Sequence, residues 1–196
     1  MIYEPVWKSF IATTTKPILT VPECENIIKL GHEQPPQQAK VGGEKGSIEK
    51  SSVGKKYRTS VISWIPFKVM PDMYKLIEVS MLQANRNHFG FEGMHLGEIA
   101  QFTEYRKGGF YEWHMDNDIF GAHEPPVRKI SMTLLLSNRS DYEGGELEFL
   151  TQGNKFPHLQ QGQAVFFASF IRHRIAKVTR GVRRSLVMWF GGPPFK

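Results

Sequence analysis

The 196-residue chain has a single cysteine, Cys24, so no intrachain disulfide can form and a reducing compartment is the simpler expectation. No stretch approaches the roughly 18 consecutive apolar residues that a membrane-spanning helix needs. The opening "MIYEPVWKSF" lacks the basic region followed by an apolar run that marks a secretory leader. A cytoplasmic protein with no membrane partner is therefore expected. Acids are in the minority, 19 against 25 Lys and Arg, which leaves a formal charge of +6 and favours anionic partners. The basic residues are scattered, however, apart from "GKKYR" at 54–58 and "RHRIAKVTRGVRR" at 172–184, and phosphate binding usually needs a clustered surface, so nucleic acid is disfavoured as a partner. No internal repeat or domain boundary is evident.

What is present describes an ordinary globular chain: 40% hydrophobic residues, 12% aromatic, and 18 Gly with 12 Pro, which imply many turns. The length suits a single domain over 1–196 with one sizeable core. "TVPECENIIKL" predicts a short helix from about Pro22 to Glu33, with a proline in the first turn and acids beside it. Cys24 reads as a small residue on a face of this helix. Residues 35–58 are rich in Gly, Ser, Lys and Gln without apolar periodicity, the composition of a mobile loop and, inside a compact domain, of a candidate substrate lid. "TSVISWIP" predicts a strand stopped by Pro66. Pro71 to Phe89 predicts a helix with Met73, Leu76, Ile77, Met81, Ala84 and His88 on one stripe, where His88 closes a core face rather than binding a ligand.

From Glu98 onward the pattern changes to seven short strands split by turns. Strands following a helical start predict an α+β, mainly β fold, an antiparallel sandwich or barrel with helices packed on one face. Residues 1–97 form the support in this reading and 98–190 the core.

The chemistry is carried by "YEWHMDND" at 111–118. In an extended strand residues i and i+2 share a face, so His114 and Asp116 can both point into a barrel mouth while Met115 points away. A mononuclear non-haem iron(II) used for oxygen chemistry takes two imidazoles and one carboxylate on one octahedral face, leaving the other positions for cosubstrate and O2. A second imidazole must then come from another strand. His123 and His158 sit beside prolines and read as loop residues, whereas His173 lies on a predicted strand. Ten residues on comes Arg183, with Ser185 on the same strand face. A guanidinium clamps a carboxylate in bidentate fashion, and a hydroxyl adds a donor. Arg172, Arg174, Arg180 and Arg184 read as surface residues, as do the acids Glu112, Asp118 and Glu146.

The segment "YRKGGFYEWHMD" resembles the Tyr-x-x-Gly-x-x-Tyr-x-x-His-x-Asp signature of the prolyl 4-hydroxylase-like branch of the iron(II)/2-oxoglutarate-dependent dioxygenases. "HRIAKVTRGVRRSLVMWF" is similar to that branch's distal metal histidine, its basic residue ten positions on, and a following Trp. "RKISMTLLLSNRSDYEGGELEF" is similar to its intervening strand, turn and Gly-Gly-Glu stretch. The match spans roughly Glu98 to Phe190. The resemblance implies a double-stranded β-helix (jelly-roll) core with the N-terminal helices packed on one sheet, in which His114, Asp116 and His173 bind Fe(2+) and Arg183 holds the 2-oxoglutarate side-chain carboxylate. Tyr105 is implied as a further cosubstrate contact, with Ser185 and Thr133 lining the same pocket and Trp189 bordering the substrate.

The implied activity is O2-dependent hydroxylation of an unactivated C–H bond with release of succinate and CO2, ascorbate serving as reductant. The implied substrate is a prolyl or other side chain of a peptide or protein. A free amino acid or other small molecule is the alternative, and a non-catalytic metal-binding jelly-roll sensor is the alternative from another class. Many prolyl hydroxylases of this branch carry Lys where this chain has Arg183, a departure that bears on the substrate rather than on the chemistry.

Overall fold

The structure, a computed structural model, describes residues 10–39, 57–117, 126–151 and 158–195. In chain order these form β1 (Ile11–Thr13), α1 (Val21–Glu33), β2 (Gln37–Gln38), β3 (Arg58–Thr59), β4 (Val61–Ile65), α2 (Pro71–Ala84), β5 (His95–Leu96), β6 (Ala100–Arg106) and β7 (Phe110–His114). Then follow β8 (Val127–Leu135), β9 (Tyr142–Gly144), β10 (Leu147–Phe149), β11 (Ala164–Ala168), β12 (His173–Ile175) and β13 (Val178–Gly192). The larger sheet runs β1-β11-β8-β13-β6-β4-β2, with β5 and β9 added on β13, and the smaller runs β10-β12-β7-β3. Every pairing is antiparallel. The mostly β architecture with helices on one sheet agrees with a jelly-roll core.

Helix α1 starts at a capping box, in which Thr20 Oγ1 accepts from Glu23 N while Thr20 N donates to the Glu23 carboxylate at 2.7 Å. It lies against the larger sheet so closely that a Cβ on Gly31 would stand 2.4 Å from the Phe102 ring, which only glycine avoids. Helix α2 begins with Pro71 and passes into a single π turn over Asn85–Phe89. Its stripe is shifted from expectation: Met73, Tyr74, Ile77 and Met81 are buried, whereas Leu76 is 39% exposed. The buried Tyr74 hydroxyl explains part of the shift, since it donates to Ile65 O and accepts from Ala100 N, tying the helix to the ends of β4 and β6. The loop expected over 35–58 is narrower than its composition implied. Gln37–Gln38 pairs with β4 and Arg58–Thr59 with β7, and residues 40–56 lie outside the described residues.

Alternation along the larger sheet separates two packing clusters. Phe102, Ile130, Met132, Leu134, Phe166, Leu186, Met188 and Phe190 face α1 and α2. Tyr105, Leu135, Val165 and Phe167 face the smaller sheet, where they meet Leu147, Phe149 and Ile175. The space between the sheets is not filled at one end, and the site lies there.

Candidate metal centre and cosubstrate site

His173 opens β12 and is the Cα partner of His114, the last residue of β7, so the ladder of the smaller sheet sets the two imidazoles side by side. Asp116 is placed differently from the alternation expected of it. The strand ends at His114, and Asp116 sits in a bend held by hydrogen bonds from Asp116 N and Asn117 N to Ser169 O at 2.9 and 3.1 Å. Met115 is not turned away, as alternation would require, but lines the same cavity. Asp116 Oδ1 lies 3.6 Å from His114 Nε2, and Asp116 Oδ2 lies 3.7 Å from His173 Nε2. One ligand atom from each of the three falls within 4.8 Å of the others.

The orientation of the two rings follows from their neighbours. His114 Nδ1 is 2.7 Å from Glu112 O, and His173 Nδ1 is 2.9 Å from Ile171 O. A carbonyl only accepts, so each ring donates from Nδ1 and turns its Nε2 toward Asp116. Burial, with His173 alongside, lowers the pKa of His114 well below its ordinary value, which keeps that ring neutral. Burial alone would raise the Asp116 pKa, but His173, His114, a hydrogen bond from Ser131 and Arg128 outweigh it, and the carboxyl is held ionised. Two imidazoles that present Nε2 and one carboxylate, with backbone carbonyls orienting the rings, fit an iron(II) ion that leaves open positions.

A cavity of about 750 Å³ opens above this cluster, lined by the triad together with Tyr105, Thr133, Ser185 and Trp189. Arg183 is the exception among the expected site residues. It is 2% exposed and does not itself line the cavity, but donates through a terminal nitrogen to Ser185 Oγ at 3.1 Å, with its guanidinium 5.8 Å from the Tyr105 ring. The register pairs Arg183 with Tyr105 and Ser185 with Thr103. Among the described residues this buried cation has no acidic partner. Leaving a guanidinium buried without a counter-ion is costly, so the site fits a ligand carboxylate reaching it. Gly145, at φ +68°, makes room: a Cβ there would stand 2.9 Å from Arg183 Cδ and 2.8 Å from Val178. The turn in "YEGGELEF" thus shapes the pocket around Arg183.

Several cavity residues escaped the sequence reading. Tyr111 stacks on His114 at 3.5 Å between ring centroids, although the two are three residues apart and alternation would separate them. A β-bulge resolves this: Ile175 pairs with Tyr111 while His173 pairs with His114, so β7 gains one residue on β12. The tyrosine of the Tyr-x-x-His-x-Asp pattern was the available signal. Arg58, Trp64, Gln101 and Arg128 also line the cavity, as does Arg172, which had been expected on the surface and is an exposed residue at the rim. Arg174 and Arg184, expected on the surface, are half-buried and bonded to Glu148 and Glu104. His158 is exposed and borders a small void beside Arg183, whereas His123 and Asp118 lie outside the described residues.

Residues 100–191 match the model of the 2OG-Fe(II) oxygenase superfamily. This stretch belongs to that superfamily. A PKHD-type hydroxylase of Synechococcus sp. (strain CC9902) is 45% identical over 83 residues, covering 42% of this chain and 36% of the relative. The chain thus spans well under half the length of that protein. In three dimensions the chain is similar to a Pseudomonas putida prolyl-4-hydroxylase, with a TM-score of 0.64 at 20% identity over 94% of this chain and 93% of the other. It is also similar to a viral collagen prolyl hydroxylase from Paramecium Bursaria Chlorella virus-1, with a TM-score of 0.67 at 18% identity over 94% and 97%. At these identities the two structures establish the prolyl-hydroxylase-like fold. No helix among the described residues is long and apolar enough to cross a membrane.

Proposed function

We propose that the chain is a single-domain iron(II)- and 2-oxoglutarate-dependent hydroxylase acting on a side chain of a peptide or protein, a prolyl residue being the leading candidate. The observation that carries this reading is one cavity in which two imidazole Nε2 atoms and a carboxylate converge, with an uncompensated buried guanidinium behind its floor. His114, Asp116 and His173 are assigned as the metal ligands. Arg183 is assigned to the distal carboxylate of 2-oxoglutarate, with Ser185, Thr133 and Tyr105 lining its path.

Iron(II) with 2-oxoglutarate and O2 supplies the oxidising power, converting the keto acid to succinate and CO2 while one oxygen atom enters the substrate C–H bond. The chain's own residues hold and shield. Glu112 O and Ile171 O orient the imidazole rings, Ser169 O fixes the Asp116 backbone, and Ser131 orders its carboxylate. Buried Phe149 and Phe167 pack beside His173 and keep water from that side of the ring.

A metal-binding jelly-roll sensor would have no use for Arg183, whose unpaired charge favours the enzyme over it. A substrate-independent assay tests the reading: succinate formed from 2-oxoglutarate with iron(II) and ascorbate, together with a search for a +16 product in a peptide and metabolite screen. Iron binding without 2-oxoglutarate binding would overturn it in favour of the sensor.

A further inference from the structure

The cavity that holds the triad has a second fixed guanidinium, at Arg58, for which the metal and the cosubstrate have no use. Arg58 lies on β3, beside Tyr111 in the ladder with β7. Its Nε donates to Ser60 Oγ at 2.8 Å, one terminal nitrogen donates to Gln101 Oε1 at 3.1 Å, and its guanidinium carbon lies 4.5 Å from the centroid of the Tyr111 ring. Gln101 is itself buried and held by Thr103, whose hydroxyl donates to the same oxygen at 3.2 Å. The cation is therefore pinned in one orientation by neutral partners, with donors left over. Among the described residues no acid pairs with it.

The neighbouring cation contrasts with this. Arg128 also lines the cavity but is neutralised by Glu98, through Nε at 2.6 Å and through a second contact from a terminal nitrogen, and its guanidinium carbon lies 4.0 Å from the centroid of the Trp189 ring. Apart from Asp116, which faces the two imidazoles, no acid lines the cavity among the described residues. Much of its wall is aromatic, from Tyr57, Trp64, Tyr111, Trp113 and Trp189, and the Trp189 Nε1 is buried without an acceptor among the described residues. A pre-oriented guanidinium with no acidic partner among the described residues, beside aromatic walls, is complementary to a planar anion.

We infer that the substrate carries a carboxylate close to the carbon that is oxidised, and that Arg58 receives it. This rests on the hydroxylase reading and names the substrate class for that site. The carboxylate has two sources, an acidic side chain beside the target residue of a peptide or the α-carboxylate of a free amino acid.

The test measures binding under anaerobic conditions to the chain loaded with iron(II) and 2-oxoglutarate, read through tryptophan fluorescence, since Trp64, Trp113 and Trp189 line the cavity. The probes are blocked nonapeptides with a central proline flanked by Asp, by Asn or by Lys, and the pair L-proline and L-prolinamide. The carboxylate member of at least one pair is expected to bind about tenfold more tightly than its neutral partner, which also identifies the source. Arg58→Gln is expected to erase that ratio, and Arg58→Glu to turn the peptide preference toward Lys, a reversal that misfolding does not produce. Equal binding within both pairs, failure of both carboxylate probes to bind, or ratios unchanged in Arg58→Gln would each overturn the inference. Succinate formation without any probe reports on the hydroxylase reading separately.

Discussion

The two faces of the larger sheet are made by the same strands and differ residue by residue. On β13, Leu186, Met188 and Phe190 face the helices in an apolar layer, while Arg183, Ser185 and Trp189 face the smaller sheet; on β8, Met132 and Leu134 face one way and Ser131 and Thr133 the other. Both sets are buried. The first is satisfied by packing alone, whereas the second has polar groups whose partners are one another or a ligand. One face therefore carries stability and the other chemistry, and a strand period of two keeps them independent.

The largest test of that separation is on the polar side. His114→Ala removes one of three donors and is expected to abolish stoichiometric iron(II) binding and succinate formation, with little change in the thermal midpoint of the metal-free chain, as measured by metal titration and by calorimetry. Next comes the apolar side. Phe190 is fully buried, and Phe190→Ala is expected to cost about 3–5 kcal/mol in denaturant unfolding. Metal affinity at a temperature where the variant stays folded should be retained, and a matching loss would show that the two faces are coupled.

Which face a residue occupies was legible wherever the strand is regular. Alternation puts Arg183 and Ser185 on one face of β13 and sets the face of Thr133 on β8, whereas the ten-residue offset from His173 to Arg183 and the roles of Tyr105 and Trp189 come from the family resemblance. Alternation failed where the backbone departs from regularity. Tyr111 and Met115 both line the cavity, one because of a bulge whose partner lies on β12 and the other because β7 stops at His114. The bend at Asp116 is held by Ser169, more than 50 residues away, so nothing local in "HMDND" encodes it. Leu76 was misplaced for a related reason: Tyr74 takes the buried position through hydrogen bonds to two strands that the helical stripe does not reveal.

Smaller effects sharpen the contrast within the polar face. Arg183→Met keeps much of the side-chain bulk and removes the charge, so the affinity for 2-oxoglutarate should fall roughly 10–100-fold in a titration, with iron(II) affinity little changed. Behind it, on the helix side, Glu104 is a buried acid that pairs with His32, Arg106 and Arg184. Burial opposes its ionisation, yet these partners hold its pKa below the ordinary 4.5. As pH falls through that ordinary value the unfolded chain takes up a proton that the folded chain does not, so stability declines on the acid side. Glu104→Gln removes this contribution, and its stability should fall less steeply with acid than that of the parent when both are followed by denaturant unfolding between pH 5 and 3.

The smallest expected effect lies deep in the apolar layer, at the thiol of Cys24. It is fully buried on α1, and burial, then Glu23 and Glu25, push its pKa from 9.0 to about 11. The reactive form is the thiolate, so at pH 8 the native chain should leave a disulfide reagent such as DTNB almost unconsumed, while denaturant should release one thiol per chain. Between about pH 9 and 11 the unfolded chain loses a proton that the folded chain keeps, so stability should decline slightly with rising pH, a dependence that Cys24→Ala removes. Adding iron(II) and 2-oxoglutarate should leave the slow native labelling rate unchanged if ligands act on the polar face alone. Slowing by the ligands beyond their effect on global unfolding would place the helix layer within reach of the site and break the independence of the two faces.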